Sequence, residues 1–284
     1  MCVDKNGQLQ TVKMQRVINI FFIVILAVCL ESRASGAQVE REHIDVNHIA
    51  VKGVFFVPRD GPIPTPADIQ ALNRHIQWSQ KRYRTMLKGA DTFEISRGIE
   101  IYNSSFSLDY YREKPEEAAP WILDELFRHY GYDRETCPYI YVIVVANEKD
   151  DFPKGGGRNF NGGLNLGGGL VITSLQALRN SPNFQSTLRH ELGHAMGLVH
   201  VDAYGYDMGN SKSIMSYNKK HHTNYFRESA EPGTLIPEDV RALAVNKRVF
   251  HKLTFDADKD VPKGYEISKK IVTLGAIKLP EERK

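Results

Sequence analysis

Residues 190–200 read His190-Glu191-Leu192-Gly193-His194-Ala195-Met196-Gly197-Leu198-Val199-His200, and the spacing within these eleven residues dictates how the chain must fold around them. Residues four apart in a helix share one face, about 6 Å apart along the axis, which two imidazoles can close onto a single zinc ion. His190 and His194 form such a pair, and Glu191 projects to the side. On an unbroken helix His200 would stand roughly 240° around and about 9 Å further on, out of reach. Gly197 supplies the break, because glycine adopts the left-handed conformation that ends a helix and turns the chain back beneath the pair.

Three neutral imidazoles leave the full double charge on one catalytic zinc and an open position for water, whose pKa then falls towards about 7. Glu191, beside a ligand but pointing past it, suits a general base that takes the water's proton and hands it to a leaving amine. A histidine pair alone is often surface polarity. With Glu191, Gly197 and His200 added, chance occurrence falls to on the order of 10⁻⁴.

After His200 comes Ser213-Ile214-Met215-Ser216-Tyr217, with Met215 fifteen residues on. The two segments together resemble the metzincin clan of zinc endopeptidases, whose pattern joins H-E-x-x-H-x-x-G-x-x-H to a methionine-containing turn. The resemblance spans residues 48–250, though only the two motifs are specific. It implies an α/β (α+β) catalytic domain with a mixed twisted sheet, a backing helix, an active-site helix and a C-terminal helix. It implies His190, His194 and His200 as metal ligands, Glu191 as catalytic base and Met215 as an apolar floor beneath the histidines. Tyr217 matches the position that astacins and serralysins use as a movable metal ligand and oxyanion donor; its plain alternative is a packed aromatic bonded locally. Val201 departs from the residue that follows the third histidine in astacins, adamalysins and serralysins, so the subfamily stays open, nearest astacin-like or serralysin-like. Calcium-binding nonapeptide repeats and a matrixin-type propeptide cysteine are both absent.

Outward from the motif the pattern is that of a globular chain of 284 residues, 42% hydrophobic and 25% charged. Residues 48–57 (HIAVKGVFFV) read as a first strand, and Thr65-Pro66 opens a helix whose apolar face is Ile69, Leu72, Ile76, Tyr83 and Met86. Residues 92–102 read as a second strand, 116–129 as a helix, and 139–145 (YIYVIVV) as a strand buried on both faces. Residues 155–169 hold eight glycines, and residues 162–169 are expected to supply an edge strand along which a polypeptide substrate pairs. They are no phosphate loop, since no Gly-Lys-Ser/Thr follows. Ser181-Pro182 begins the helix that carries the motif, and Pro237 begins the last one. A strand at residues 271–274 is weakly signalled.

Lys13 and Arg16 precede fourteen residues, 17–30, whose only clearly polar member is Asn19, and the small run Ala34-Ser35-Gly36-Ala37 follows. That is the layout of a secretory signal peptide, with cleavage after Ala37. The apolar stretch reaches roughly 21 Å as a helix, short of a bilayer core of roughly 30 Å, so no stable membrane span is expected. The expected organisation is a leader at 1–37, a peptidase domain at 38–252 and an extension of unassigned role at 253–284, in a secreted (extracellular or periplasmic) monomer. The remainder after residue 37 carries 33 basic against 32 acidic residues, a net +1 that gives nucleic acid no support as a partner. Cys2 and Cys29 fall in the leader, which leaves Cys137 as a small buried residue.

Asp150 and Asp151 are candidates for a structural calcium that nothing else supports, and Asp202 and Asp207 for bonds to a ligand imidazole. His221-His222 read as pocket wall or polar loop. The function expected is peptide-bond hydrolysis by a zinc-activated water. Two rivals are a zinc-loaded adhesion protein without turnover and a zinc hydrolase of a non-peptide amide.

Overall fold

The computed structural model describes residues 48–160, 168–218 and 233–265. The chain divides into two units, Met1–Ile44 and Asp45–Lys284, and the described residues belong to the second. The leader, His221-His222 and residues 271–274 lie outside them.

The architecture is mixed α/β. In chain order come β1 (Ala50–Val57), α1 (Pro66–Met86), β2 (Glu94–Asn103), α2 (Leu108–Arg112), α3 (Ala118–Tyr130), β3 (Tyr139–Val145), β4 (Gly156–Asn159), β5 (Gly169–Ser174), α4 (Leu175–Asn180) and α5 (Phe184–Ala195). A 3₁₀ turn over Val201–Tyr204, α6 (Pro237–Val245) and α7 (Ala257–Asp260) complete the described elements. The sheet order is β2-β1-β3-β5-β4, parallel except for β4, which runs antiparallel to β5.

β3 is central, and all seven of its residues are buried, which is why its sequence is apolar without alternation. On one face Val51, Phe55, Val142, Val144 and Val171 pack with Leu72 and Ile76 of α1 and Leu192 of α5. On the other face Val54, Phe56, Ile143 and Val145 pack with Ile122 and Leu126 of α3. Cys137 is buried among the second group, and burial pushes its thiol up to about 12, so it behaves as a small apolar side chain.

α1 begins where Thr65-Pro66 indicates. Thr65 Oγ1 accepts from the Asp68 amide at 3.2 Å, and the Asp68 carboxylate accepts from the Thr65 amide at 2.7 Å, which satisfies two orphan donors of the first turn. Asp68 also receives Arg179 of α4 as a two-point fork, at 2.9 and 2.8 Å, so the start of the backing helix is tied to the segment leading into α5.

Two differences from the sequence expectation concern the region around the motif. The end strand of the sheet is β4 at Gly156–Asn159, earlier than the 162–169 stretch expected for it; Gly169 instead opens the inner strand β5, and residues 161–167 lie outside the described residues. The stretch Gly156-Gly157-Arg158-Asn159 has no apolar alternation, and its strand form comes from pairing with β5. The motif helix starts at Phe184 and not at Ser181, because α4 precedes it as a separate helix, capped by Ser174 Oγ accepting from the Ala177 amide at 3.0 Å.

Candidate metal centre

α5 lies against β4 and β5 and brings His190, Glu191 and His194 beneath the end of the sheet. Its close approach requires small residues: a Cβ on Gly157 of β4 would sit 2.1 Å from the Glu191 carbonyl oxygen. The helix closes with the left-handed glycine that the motif implies. Gly197 has φ +102°, the Leu198 amide donates to the Gly193 carbonyl at 2.9 Å, and the Gly197 amide to the His194 carbonyl at 3.0 Å. This paired pattern is the Schellman ending, and it reverses the chain within three residues. The freed carbonyls of Ala195 and Met196 are met by Asn159 Nδ2 at 3.2 Å and Asn246 Nδ2 at 3.0 Å.

The reversal delivers His200 to the other two rings. His200 Nε2 lies 3.0 Å from His194 Nε2 and 3.2 Å from His190 Nε2, and the three potential ligand atoms all lie within 4.8 Å of one another. His190 Nδ1 donates to the Ile214 carbonyl at 2.7 Å and His194 Nδ1 to the Leu198 carbonyl at 2.9 Å. Those bonds fix both tautomers with Nε2 unprotonated and turned to the common point. Burial lowers the pKa of His194 and of His200, which favours the neutral ring in both. Lone pairs facing one another at such distances repel unless a cation lies among them. Two bonds of about 2.0–2.1 Å at a tetrahedral angle put imidazole nitrogens roughly 3.3 Å apart, so the donor set and its spacing fit a zinc ion.

Carbonyls hold His190 and His194, whereas Asp202 and Asp207 are the residues expected near the third ligand, His200. Asp202 instead accepts from the Ala203 amide at 3.0 Å, and Asp207 from the Gly209 amide at 2.7 Å. Asp150 is paired with Arg112 at 2.7 and 2.8 Å, and Asp151 Oδ1 accepts from Ser174 Oγ at 2.9 Å.

Glu191 stands outside the trio. Burial raises its pKa to about 7, and the Gly157 amide offsets part of that rise. Met215 is fully buried beneath α5, so close to Gly193 that a Cβ there would meet its sulfur at 2.5 Å. Tyr217 is 59% exposed, with its hydroxyl 3.1 Å from His200 Nε2 and its ring 5.0 Å from the His200 ring.

Sequence reasoning passed over the support of the methionine turn. Ser213 Oγ accepts from the Met215 amide at 2.9 Å and donates to Asp239 Oδ2 at 2.7 Å, and Asp239 also accepts from the Ile236 amide at 3.1 Å. The start of α6 is thereby tied to the turn whose Ile214 carbonyl orients His190. Asp239 in the first turn of α6 reads in sequence as a favourable helix-dipole charge, yet it is fully buried, and burial pushes its pKa up to about 7. Its burial was the missing signal.

No known protein family matches the sequence, and no curated protein does. Among solved structures the chain is similar to wild-type OgpA from Akkermansia muciniphila, at 17% identity over 76% of this chain and 64% of that one, TM-score 0.45. A catalytically inactive OgpA in complex with an O-glycopeptide, glycodrosocin, gives 18% identity, 76% and 64% coverage and TM-score 0.45. Metalloproteinase-II from Bacteroides fragilis gives 17% identity, 70% and 53% coverage and TM-score 0.36. The chain spans less than two thirds of the length of each.

Proposed function

We propose that this chain is a secreted zinc metalloendopeptidase of metzincin type, with residues 1–37 as a removed leader and 38–252 as the peptidase domain. The observation that carries the reading is the convergence of three imidazole nitrogens, two with fixed tautomers, at the helix that also carries the half-buried Glu191. Among the described residues no helix is long and apolar enough to cross a membrane.

A zinc ion held by His190, His194 and His200 would supply Lewis acidity to a scissile carbonyl and to a water. Each residue then has a task. Glu191, with a pKa near neutrality, takes a proton from the attacking water and returns it to the leaving amine. Tyr217 swings its exposed hydroxyl from His200 to donate to the oxyanion. The substrate lies extended along the side of β4 that pairs with no strand among the described residues, and Met215 holds α5 from below.

The test is Glu191→Ala in the purified chain beginning at Gln38. Zinc content measured by mass spectrometry stays at one ion per chain, while hydrolysis of a denatured protein falls about 10²- to 10⁴-fold. Full turnover by this variant would refute Glu191 as the base. A wild-type chain that binds zinc and hydrolyses no polypeptide would refute the peptidase reading and favour a binding protein or a hydrolase of another amide.

A further inference from the structure

Arg158 occupies the end strand of the sheet, one residue beyond the point where β4 touches α5. Side chains alternate along a strand, so residues 157 and 159 share one face and residue 158 takes the other. Contacts on both faces fix the assignment. Gly157 lies against the Glu191 main chain and Asn159 bonds the Ala195 carbonyl, both on the α5 side. Leu170 of β5, directly opposite Arg158 in the ladder, packs with Ile122 and Phe127 of α3 on the other side.

Arg158 is therefore an exposed cation on the α3 side of β4, next in sequence to the glycine that touches α5. Among the described residues no carboxylate forms an ion pair with it. Burial of part of the side chain and the nearby positive charge of Arg134 both lower its pKa. Asp133, next to Arg134 in sequence, is spent on its own turn, accepting from the Glu135 and Thr136 amides and from Thr136 Oγ1. The charge of Arg134 thus weighs on Arg158, and an anion brought to this edge offsets it.

We propose that Arg158 is a specificity-determining residue that selects polypeptides carrying an aspartate or glutamate side chain cross-strand from it, close to the scissile bond. This rests on the peptidase reading above. A substrate strand added to β4 places the residue opposite Arg158 on the same face, with Cβ atoms about 4.5–5.5 Å apart, where opposite charges attract. Each strand residue advances about 3.4 Å, and Glu191 meets β4 at Gly157, so the selected residue falls within one or two positions of the cleaved bond.

The test uses the purified, zinc-loaded chain and fluorogenic peptides identical except at one position, filled with Glu, Gln or Lys and scanned over three residues on each side of the cleaved bond. At one position kcat/KM for Glu exceeds that for Gln about three- to fivefold, and Lys is poorest. Arg158→Ala brings the three peptides level, Arg158→Glu inverts the order, and Arg158→Lys restores part of it. Indifference of the wild type to charge at every position, or a preference that survives in Arg158→Ala, overturns the role of Arg158 and leaves the peptidase reading standing. If the wild type cleaves none of the peptides, the peptidase reading falls and this inference with it.

Discussion

The sheet layer and the segment after Gly197 share one apolar core, but they differ in what sets the position of their working atoms. Around β3 the chain is fixed by apolar burial on two faces, with aliphatic side chains from three strands meeting α1, α3 and α5. After Gly197 the described regular elements are short; Ile214, Met215, Leu243 and Phe250 join the apolar core under the sheet, but the atoms around the centre are aimed by single polar bonds: Leu198 carbonyl to His194, Ile214 carbonyl to His190, Ser213 to Asp239. The first region tolerates changes of residue that keep volume and apolar character. The second depends on individual atoms, and it supplies the third histidine.

The largest expected effect comes from removing that contribution. His200→Ala should abolish zinc binding in dialysis against the metal and abolish peptide hydrolysis, while the far-UV circular dichroism of the metal-free chain stays unchanged. Loss of the sheet signal in this variant would show that the two regions are not separable. The counterpart in the sheet is Ile143→Ala, which empties a fully buried site between β3 and α3. It should cost about 2–5 kcal/mol in chemical denaturation without changing the stoichiometry of zinc in the folded protein.

An intermediate effect is expected at the polar link. Ser213→Ala strips the Met215 amide of its acceptor and leaves Asp239 with the Ile236 amide alone. Buried groups left unpaired cost about 1–3 kcal/mol each. Because the same turn carries the Ile214 carbonyl, zinc affinity should fall about 10- to 100-fold, measured by competition with a chromogenic chelator. A stability loss with unchanged zinc affinity would mean the turn keeps its shape without Ser213.

The same contrast explains what the sequence made legible. The span of β3 could be read to the residue, because a strand covered on both faces must be apolar throughout. The face of α1 was legible because burial of Leu72, Ile76 and Tyr83 imposes helical spacing. β4 was not, since a run of two glycines, an arginine and an asparagine has no pattern of its own and is made a strand by β5 beside it. The three histidines announced themselves through spacing. Ser213 and Asp239 did not, because 26 residues separate them and nothing local in either segment reports that the other covers it.

The smallest effects are opposite pH slopes in the two regions. Asp68 sits in the sheet layer with Arg179 forked onto it, which holds its carboxyl well below the usual carboxylate range. Its folded pKa lies below its unfolded value, so its contribution is complete above about pH 4 and is lost as pH falls further. Asp239 is the reverse. Burial raises its folded pKa to about 7, so the native state holds a proton that the unfolded chain releases near pH 4, and stability declines as pH climbs from about 4 to about 7. In denaturation midpoints taken across this range on metal-free protein, Asp239→Asn should flatten the decline between pH 4 and 7, because its amide accepts the same two bonds and never ionises. Asp68→Asn should instead flatten the loss below pH 4. Should Asp239→Asn leave the neutral slope unchanged, Asp239 would have to be ionised in the fold throughout, and the bond from Ser213 would then be one to a charged carboxylate.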